Sequence, residues 1–201
     1  MNTNKERILI DADETTARTI EDGVYPIVNA EYGTNLSFNT TLNCRDVFGS
    51  LIQENGVPIT LEKKIKIFKS AIAQDIGKNQ IRTVAGSVEK ILELSEGYQL
   101  DILTARHPDL IEYTTNWTQY KYNGAIAKVF SSNCYYGGKV SKSDICKNEG
   151  VKMMIEDDMD YALELAKEGI KVYLLKKPWN VQRPEKHRNI VKVDGWNEIK
   201  I

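Results

Sequence analysis

The chain has 201 residues, long enough for one domain, or a core with a modest insertion, to bury its apolar surface without staples. Charged residues make up 27% and nearly cancel to a net charge of -1, which argues against a nucleic-acid-binding or membrane-binding surface. The odd set Cys44, Cys134 and Cys146, without C-x-x-C spacing, argues against a disulfide framework and for reduced packing thiols. Met1 to Glu6 is polar and no apolar run reaches membrane-spanning length, so the expectation is a soluble, cytoplasmic protein.

Arg7-Ile8-Leu9-Ile10 is a short apolar run ending in Asp11-Ala12-Asp13, the pattern of a buried strand with two acids at its carboxyl end. Alternation sends the two acids the same way and Ala12 elsewhere. From 16 to 32 the apolar spacing is helical, with a break or kink expected near Pro26. A polar loop follows over 35–43, and 45–49 suits a short helix. The clearest helix of this stretch spans 60–76: Thr60 can cap it, Leu61, Ile65, Phe68, Ile72 and Ile76 share a face, and Gly77 ends it.

Strand and helix then alternate. Ser87 is expected to cap a helix reaching Ser95, with Gly97 closing it, and Gln99 to Leu103 reads as a strand ending at Thr104-Ala105-Arg106. Pro108 opens a helix carrying Trp117, a strand runs around 127–130, and a helix spans 142–148. Val151 to Ile155 is a strand ending in Glu156-Asp157-Asp158; a helix over 161–168 and a last clear strand over 170–175 follow. This rhythm indicates a parallel sheet covered on both faces, a Rossmann-like three-layer α/β core. The expected division is a core of 1–16 and 84–201 with a small helical cap, 17–83, inserted after the first strand.

Strand ends of a parallel sheet lie along one edge, where ligands of open α/β sheets bind. Here they offer two acids, a hydroxyl with a basic neighbour, and an acid cluster preceded by a lysine. Convergent carboxylates need a cation, and all-oxygen ligands favour a hard ion such as Mg2+. A hydroxyl and a lysine opposite such an ion suit a phosphoryl group, and a carboxylate can attack phosphorus. No Gly-rich phosphate loop and no G-x-S-x-G elbow is present.

The pattern resembles the haloacid dehalogenase superfamily of phosphohydrolases. Its apolar run and D-x-D-x-T motif is matched by Ile8-Leu9-Ile10-Asp11-Ala12-Asp13-Glu14-Thr15, its strand ending in Thr or Ser by Ile102-Leu103-Thr104, its lysine by Lys142, and its acidic motif by Glu156-Asp157-Asp158. Within the superfamily, Leu103 to Arg106, Ser141 to Cys146, Ile155 to Asp158 and Lys177-Pro178-Trp179-Asn180 are similar to the 5'(3')-deoxyribonucleotidase-like branch. That branch usually has Gly where this chain has Glu14.

The resemblance implies a Mg2+-dependent phosphomonoesterase working through an aspartyl-phosphate, with a nucleoside monophosphate as substrate; a sugar-phosphate or general small-metabolite phosphatase is the alternative. Asp11 would be the nucleophile and a metal ligand. Asp13 would be the acid–base group and reach the metal through its carbonyl. Thr104, the Ala105 amide and Lys142 would hold the phosphoryl group, and Asp157 would complete the metal site. Glu156 and Asp158 are the rival ligands and Lys139 the rival lysine. No nucleic acid polymer or membrane is a partner, and a homodimer is left open.

Among the remaining residues, His107 and His187 share no ligand spacing with a cysteine pair and suit loop positions. Arg106 suits either a substrate-phosphate contact or a strand cap. Trp117 suits the core, Trp179 either packing or the site wall, and Arg45 and Phe48 contact with base or sugar.

Overall fold

The computed structural model describes residues 5–40, 53–54, 57–75, 78–133, 137–138 and 140–201. Cys44, Arg45, Phe48, Cys134 and Lys139, the expected short helix over 45–49, and the Ile76-Gly77 end of the 60–76 helix lie outside the described residues.

The chain runs β1 (Arg7–Ile10), a π-helical turn (Thr19–Val24), α1 (Tyr25–Tyr32), the two-residue strands β2 (Gln53–Glu54) and β3 (Val57–Pro58), and α2 (Leu61–Asp75). It continues through α3 (Ser87–Gly97), β4 (Gln99–Thr104), α4 (Ile111–Lys121), β5 (Ile126–Ser131), α5 (Lys142–Asn148), β6 (Met153–Glu156), α6 (Met159–Lys167), β7 (Lys171–Leu175) and β8 (Ile190–Val193). Six strands form one sheet in the order β5-β4-β1-β6-β7-β8, every pair parallel. The expected α/β sheet is therefore present, with β1 at its centre and one strand more than the sequence pattern revealed. β8 is short, only one of its residues is buried, and its Ile-Val-Lys-Val lacks the sustained apolar run of the central strands.

Alternation along the strands divides the core in two. Ile8, Ile10, Leu100 and Ile102 pack with Ile91 and Leu94 of α3 and Trp117 of α4, while Leu9, Leu103, Met154 and Val172 pack with Cys146 of α5 and Ala162 and Leu165 of α6. Trp117 and Cys146 are core residues, as expected.

Residues 17 and 83 meet: Ala17 and Thr83 form an antiparallel bridge, Arg18 N donates to Arg82 O at 2.9 Å, and Val84 N donates to Thr16 O at 2.9 Å. The stretch between them has its own apolar cluster, including Ile20, Val24, Val28, Ile67, Phe68 and Ile72. The helical path changes from π to α at Tyr25, with Pro26 in the first turn of α1, where the missing N–H costs nothing. The stretch is not wholly helical, since β2 and β3 pair antiparallel.

Two local expectations are corrected. Gly86, in the left-handed region at φ +78°, occupies the N-cap of α3; Ser87 is its first helical residue, with its hydroxyl 3.2 Å from that of Tyr122. In α2 the buried face is Ile67, Phe68, Ala71, Ile72 and Asp75, and Leu61 is exposed. Asp75 belongs to that face because its carboxylate accepts from Tyr113 Oη at 2.7 Å and Ile81 N at 2.6 Å.

Candidate active site

The carboxyl ends of β1, β4 and β6 adjoin in the sheet, and α5 begins beside them. Asp11 follows β1 directly, its N–H donating to Ile155 O on β6 at 2.9 Å. At the start of α5, Ser141 Oγ accepts from Asp144 N at 3.0 Å while Asp144 accepts from Ser141 N at 3.1 Å, a reciprocal cap that fixes the turn from which Lys142 departs. Lys142 is 1% exposed; its Nζ donates to Asp11 Oδ1 at 2.5 Å and Glu156 Oε2 at 2.8 Å, and lies 4.4 Å from the Tyr161 ring centroid. Among the described residues, Lys142 is the lysine brought to Asp11; Lys139 lies outside them.

Asp11, Glu156 and Asp157 are all buried and each offers an oxygen within 4.8 Å of the others. Asp11 and Glu156 share the Lys142 ammonium, while Asp157 feels the charge of Lys177. Burial and the charge of Glu156 push Asp11 up to about 8, against the pull of Lys142. Burial, with the charges of Glu156 and Asp11, likewise holds Asp157 well above the usual carboxylate range. Burial opposes the Lys142 ammonium, yet Asp11 and Glu156 hold it well above its ordinary value. An all-oxygen set with excess negative charge fits a hard divalent cation, which would relieve the repulsion that now favours protonation.

The three acids at the end of β6 differ in their engagements. Glu156 already accepts from Lys142 and, through Oε1, from the amides of Asp157 and Asp158, both at 3.1 Å. Asp158 caps α6, accepting from Asp160 N at 2.7 Å and Tyr161 N at 3.2 Å. Asp157 receives the Thr15 hydroxyl at 2.9 Å, and its carbonyl receives Trp179 Nε1 at 3.1 Å and Asn180 Nδ2 at 2.7 Å. Trp179 is thus packed, and anchored to the backbone of the acid cluster. Its ring meets Phe38 edge to face at 5.2 Å between centroids.

Asp13 turns to a different partner. Arg106 donates through Nε to both Asp13 oxygens at 3.1 Å and through Nη2 to Oδ1 at 2.6 Å. Thr104 is fully buried, and its hydroxyl accepts the Arg106 amide at 3.2 Å, which shapes the turn holding the half-buried Ala105. His107 and His187 sit in loops, each Nδ1 accepting a local amide two residues on.

Glu14 is buried at φ +59°, a conformation that favours glycine. Its carboxylate accepts from Ile20 N at 2.8 Å and Glu21 N at 3.4 Å, capping the first turn of the 17–83 stretch. Burial pushes it up to about 7, against the Lys177 charge.

The sequence pattern did not reveal the Thr15 contact with Asp157 or the Arg106 pairing with Asp13. Thr15 carried a signal, being the last residue of the D-x-D-x-T match; Arg106 carried only its position two residues beyond a strand-end threonine.

No family model matches the chain. A stretch of 109 residues is 28% identical to a nucleotidase of Clostridium acetobutylicum, covering 54% of this chain and 53% of that relative; the match spans about half of the relative's length. Among solved structures, a haloacid dehalogenase hydrolase of family IA, variant 3, from Entamoeba histolytica superposes with a TM-score of 0.64 at 16% identity, covering 98% of this chain and 96% of that one. CbbY from Rhodobacter sphaeroides, solved with phosphate, gives 0.58 at 17% identity over 96% of each chain. A haloacid dehalogenase superfamily hydrolase from Geobacter sulfurreducens gives 0.58 at 13% identity over 96% and 97%. The six-stranded parallel order, the helices on both faces and these superpositions together give the chain the fold of the haloacid dehalogenase superfamily.

Proposed function

We propose that the protein is a Mg2+-dependent phosphomonoesterase that passes the phosphoryl group through Asp11, with a nucleoside monophosphate as substrate. The observation that carries this reading is Lys142, buried and bonded to both Asp11 and Glu156, beside a second buried aspartate. Such a pocket has the charge pattern of a site for a dianionic group held between a cation and an ammonium.

Asp11, Asp157 and the Asp13 carbonyl would hold the ion, which when bound supplies charge neutralisation of the phosphoryl oxygens. Lys142 and Thr104 would bind and orient those oxygens. An Asp11 oxygen then bonds to phosphorus as the bond to the leaving oxygen breaks, and Asp13 delivers a proton to that oxygen. In the second half-reaction Asp13 takes a proton from water, the water oxygen bonds to phosphorus, and the Asp11–phosphorus bond breaks to release inorganic phosphate. We further propose that 17–83 is a cap over the strand ends, held to the core by its adjoining ends and by Phe38 against Trp179.

The nucleotide assignment rests on the similarity to the Clostridium acetobutylicum nucleotidase and on the branch motifs. It is tested by phosphate release from ribo- and deoxyribonucleoside monophosphates and sugar phosphates, with Mg2+, with chelator, and with Asp11→Asn as blank. Mg2+-dependent release concentrated in the nucleotides is expected. Release from sugar phosphates alone would overturn the substrate assignment, and full turnover by Asp11→Asn would overturn the mechanism.

A further inference from the structure

Arg106 is 3% exposed, a burial that is costly for a charged group unless its donors are used, and all three of its guanidinium nitrogens are. Nε and Nη2 hold Asp13, Nη1 donates to Thr114 Oγ1 at 2.8 Å, and Nη2 also donates to Thr19 Oγ1 at 2.8 Å. Thr114 is fixed in turn, its hydroxyl donating to Leu110 O at 2.7 Å within the α4 region. Thr19 and Thr114 are both fully buried. A guanidinium so occupied does not reach out to a substrate phosphate. It also does more than end a strand, since its planar fork is aimed at one carboxylate.

We infer that Arg106 is a positioning residue for Asp13: it fixes the acid–base carboxylate over the reacting atoms and is itself aimed by Thr114 of α4 and Thr19 at the start of the 17–83 stretch. The inference rests on the phosphomonoesterase reading above. Asp13 Oδ1 takes two of the contacts and Oδ2 only the shared Nε, so Oδ2 is the oxygen that carries the transferred proton. In the step at issue the phosphorus–oxygen bond breaks, its electron pair goes to the leaving oxygen, and the Asp13 proton joins it there. Loss of aim therefore hurts esters in proportion to how much their leaving oxygen needs that proton.

The test compares kcat/KM, which covers binding through loss of the leaving group, for a nucleoside 5'-monophosphate and for p-nitrophenyl phosphate, whose leaving group departs without a proton. The full chain with Mg2+ is used throughout. Asp13→Asn sets the reference pattern. Arg106→Met is expected to lose about 100-fold or more on the nucleotide and under about tenfold on the aryl ester. Arg106→Lys is expected to recover part of the difference, because an ammonium can bond one Asp13 oxygen but lacks the fork. Thr114→Val keeps the charge and removes one anchor; a smaller loss, again selective for the nucleotide, is expected, and this arm stands if Arg106→Met does not fold. Equal losses on both esters in the Arg106 and Thr114 variants, or none, would overturn the inference while selective loss in Asp13→Asn left the phosphomonoesterase reading intact. A wild-type chain that released phosphate from neither ester would overturn both.

Discussion

Replacing Lys142 with Met tests the charge balance of the site most directly. The ammonium is 1% exposed and bonds Asp11 at 2.5 Å and Glu156 at 2.8 Å, with Asp157 also in the cluster. Met has a similar length and leaves Asp11 and Glu156 buried without the ammonium they share. Breaking a buried pair from one side costs about 3–5 kcal/mol. At roughly 2–4 °C per kcal/mol for a chain of this size, the melting temperature in chelator should fall by about 6–20 °C. Mg2+ should restore part of the loss, since an ion that binds only the folded chain stabilises it by mass action. Phosphate release should drop by about 100-fold or more even with Mg2+, because the proposed mechanism loses a donor to the phosphoryl oxygens. Lys147, paired with Glu168 at 2.6 Å on the surface with both partners over 40% exposed, is the control, and Lys147→Met should melt with the wild type. The assay is thermal unfolding with and without Mg2+. A Lys142→Met chain that melted within about 2 °C of the wild type in chelator would refute the reasoning.

Three further outcomes are expected. Asp11 is raised from 3.8 to about 8 in the folded chain, so the native state holds a proton there that the unfolded state lacks; its stabilising contribution is full below about 4 and is lost as pH rises toward 8. In chelator, the melting temperature of Asp11→Asn should therefore gain on the wild type as pH rises from about 5 to about 8, and a constant difference would contradict the shift. Glu14→Ala should be less stable than Glu14→Gly by about 1 kcal/mol in urea unfolding, because both lose the bonds to Ile20 and Glu21 but only Gly relieves the positive φ; equal stability would remove the conformational argument. Ser141→Ala should cost about 1 kcal/mol by the same measurement, through loss of the reciprocal cap at the start of α5, and an unchanged midpoint would show that cap to be idle.

The central strands were legible because burial on both faces leaves them mostly apolar, the buried Asp101 of β4 being paired with Arg7 of β1, and the acid or hydroxyl that ends each is conspicuous by contrast. β8 carries few buried positions and, unlike β5 at the opposite edge, is not preceded by a helix, so the strand–helix rhythm did not mark it. The groups at the strand ends followed from the order of elements alone, since a parallel sheet puts all carboxyl ends on one edge. What each group touches did not follow. Arg106 reaches Asp13 across 93 residues, and Thr15 reaches Asp157 across 142; such pairings depend on rotamers and packing that periodicity does not encode. Glu14 illustrates the limit from the other side. In the sequence it stood out only as a departure from the Gly of the branch, whereas its carboxylate accepts two amides at the start of the 17–83 stretch.

The place of β1 in the sheet has a consequence for synthesis. It leaves the ribosome before the other five strands of the sheet, yet its two neighbours, β4 and β6, are made only when residues 99–104 and 153–156 have followed, and the 17–83 stretch lengthens the first wait. Until then Ile8-Leu9-Ile10 has both faces and both edges unpaired, a short β-prone apolar segment open to other chains. Assembly of the central three strands is accordingly a late, long-range event, of the kind that folds slowly and exposes intermediates to aggregation. A nascent chain stalled before residue 150 would have Asp11 and Thr104 but neither Glu156 nor Asp157, and so could not close the acidic cluster. Ion binding by arrested chains of increasing length would thus report the moment at which the central sheet is complete.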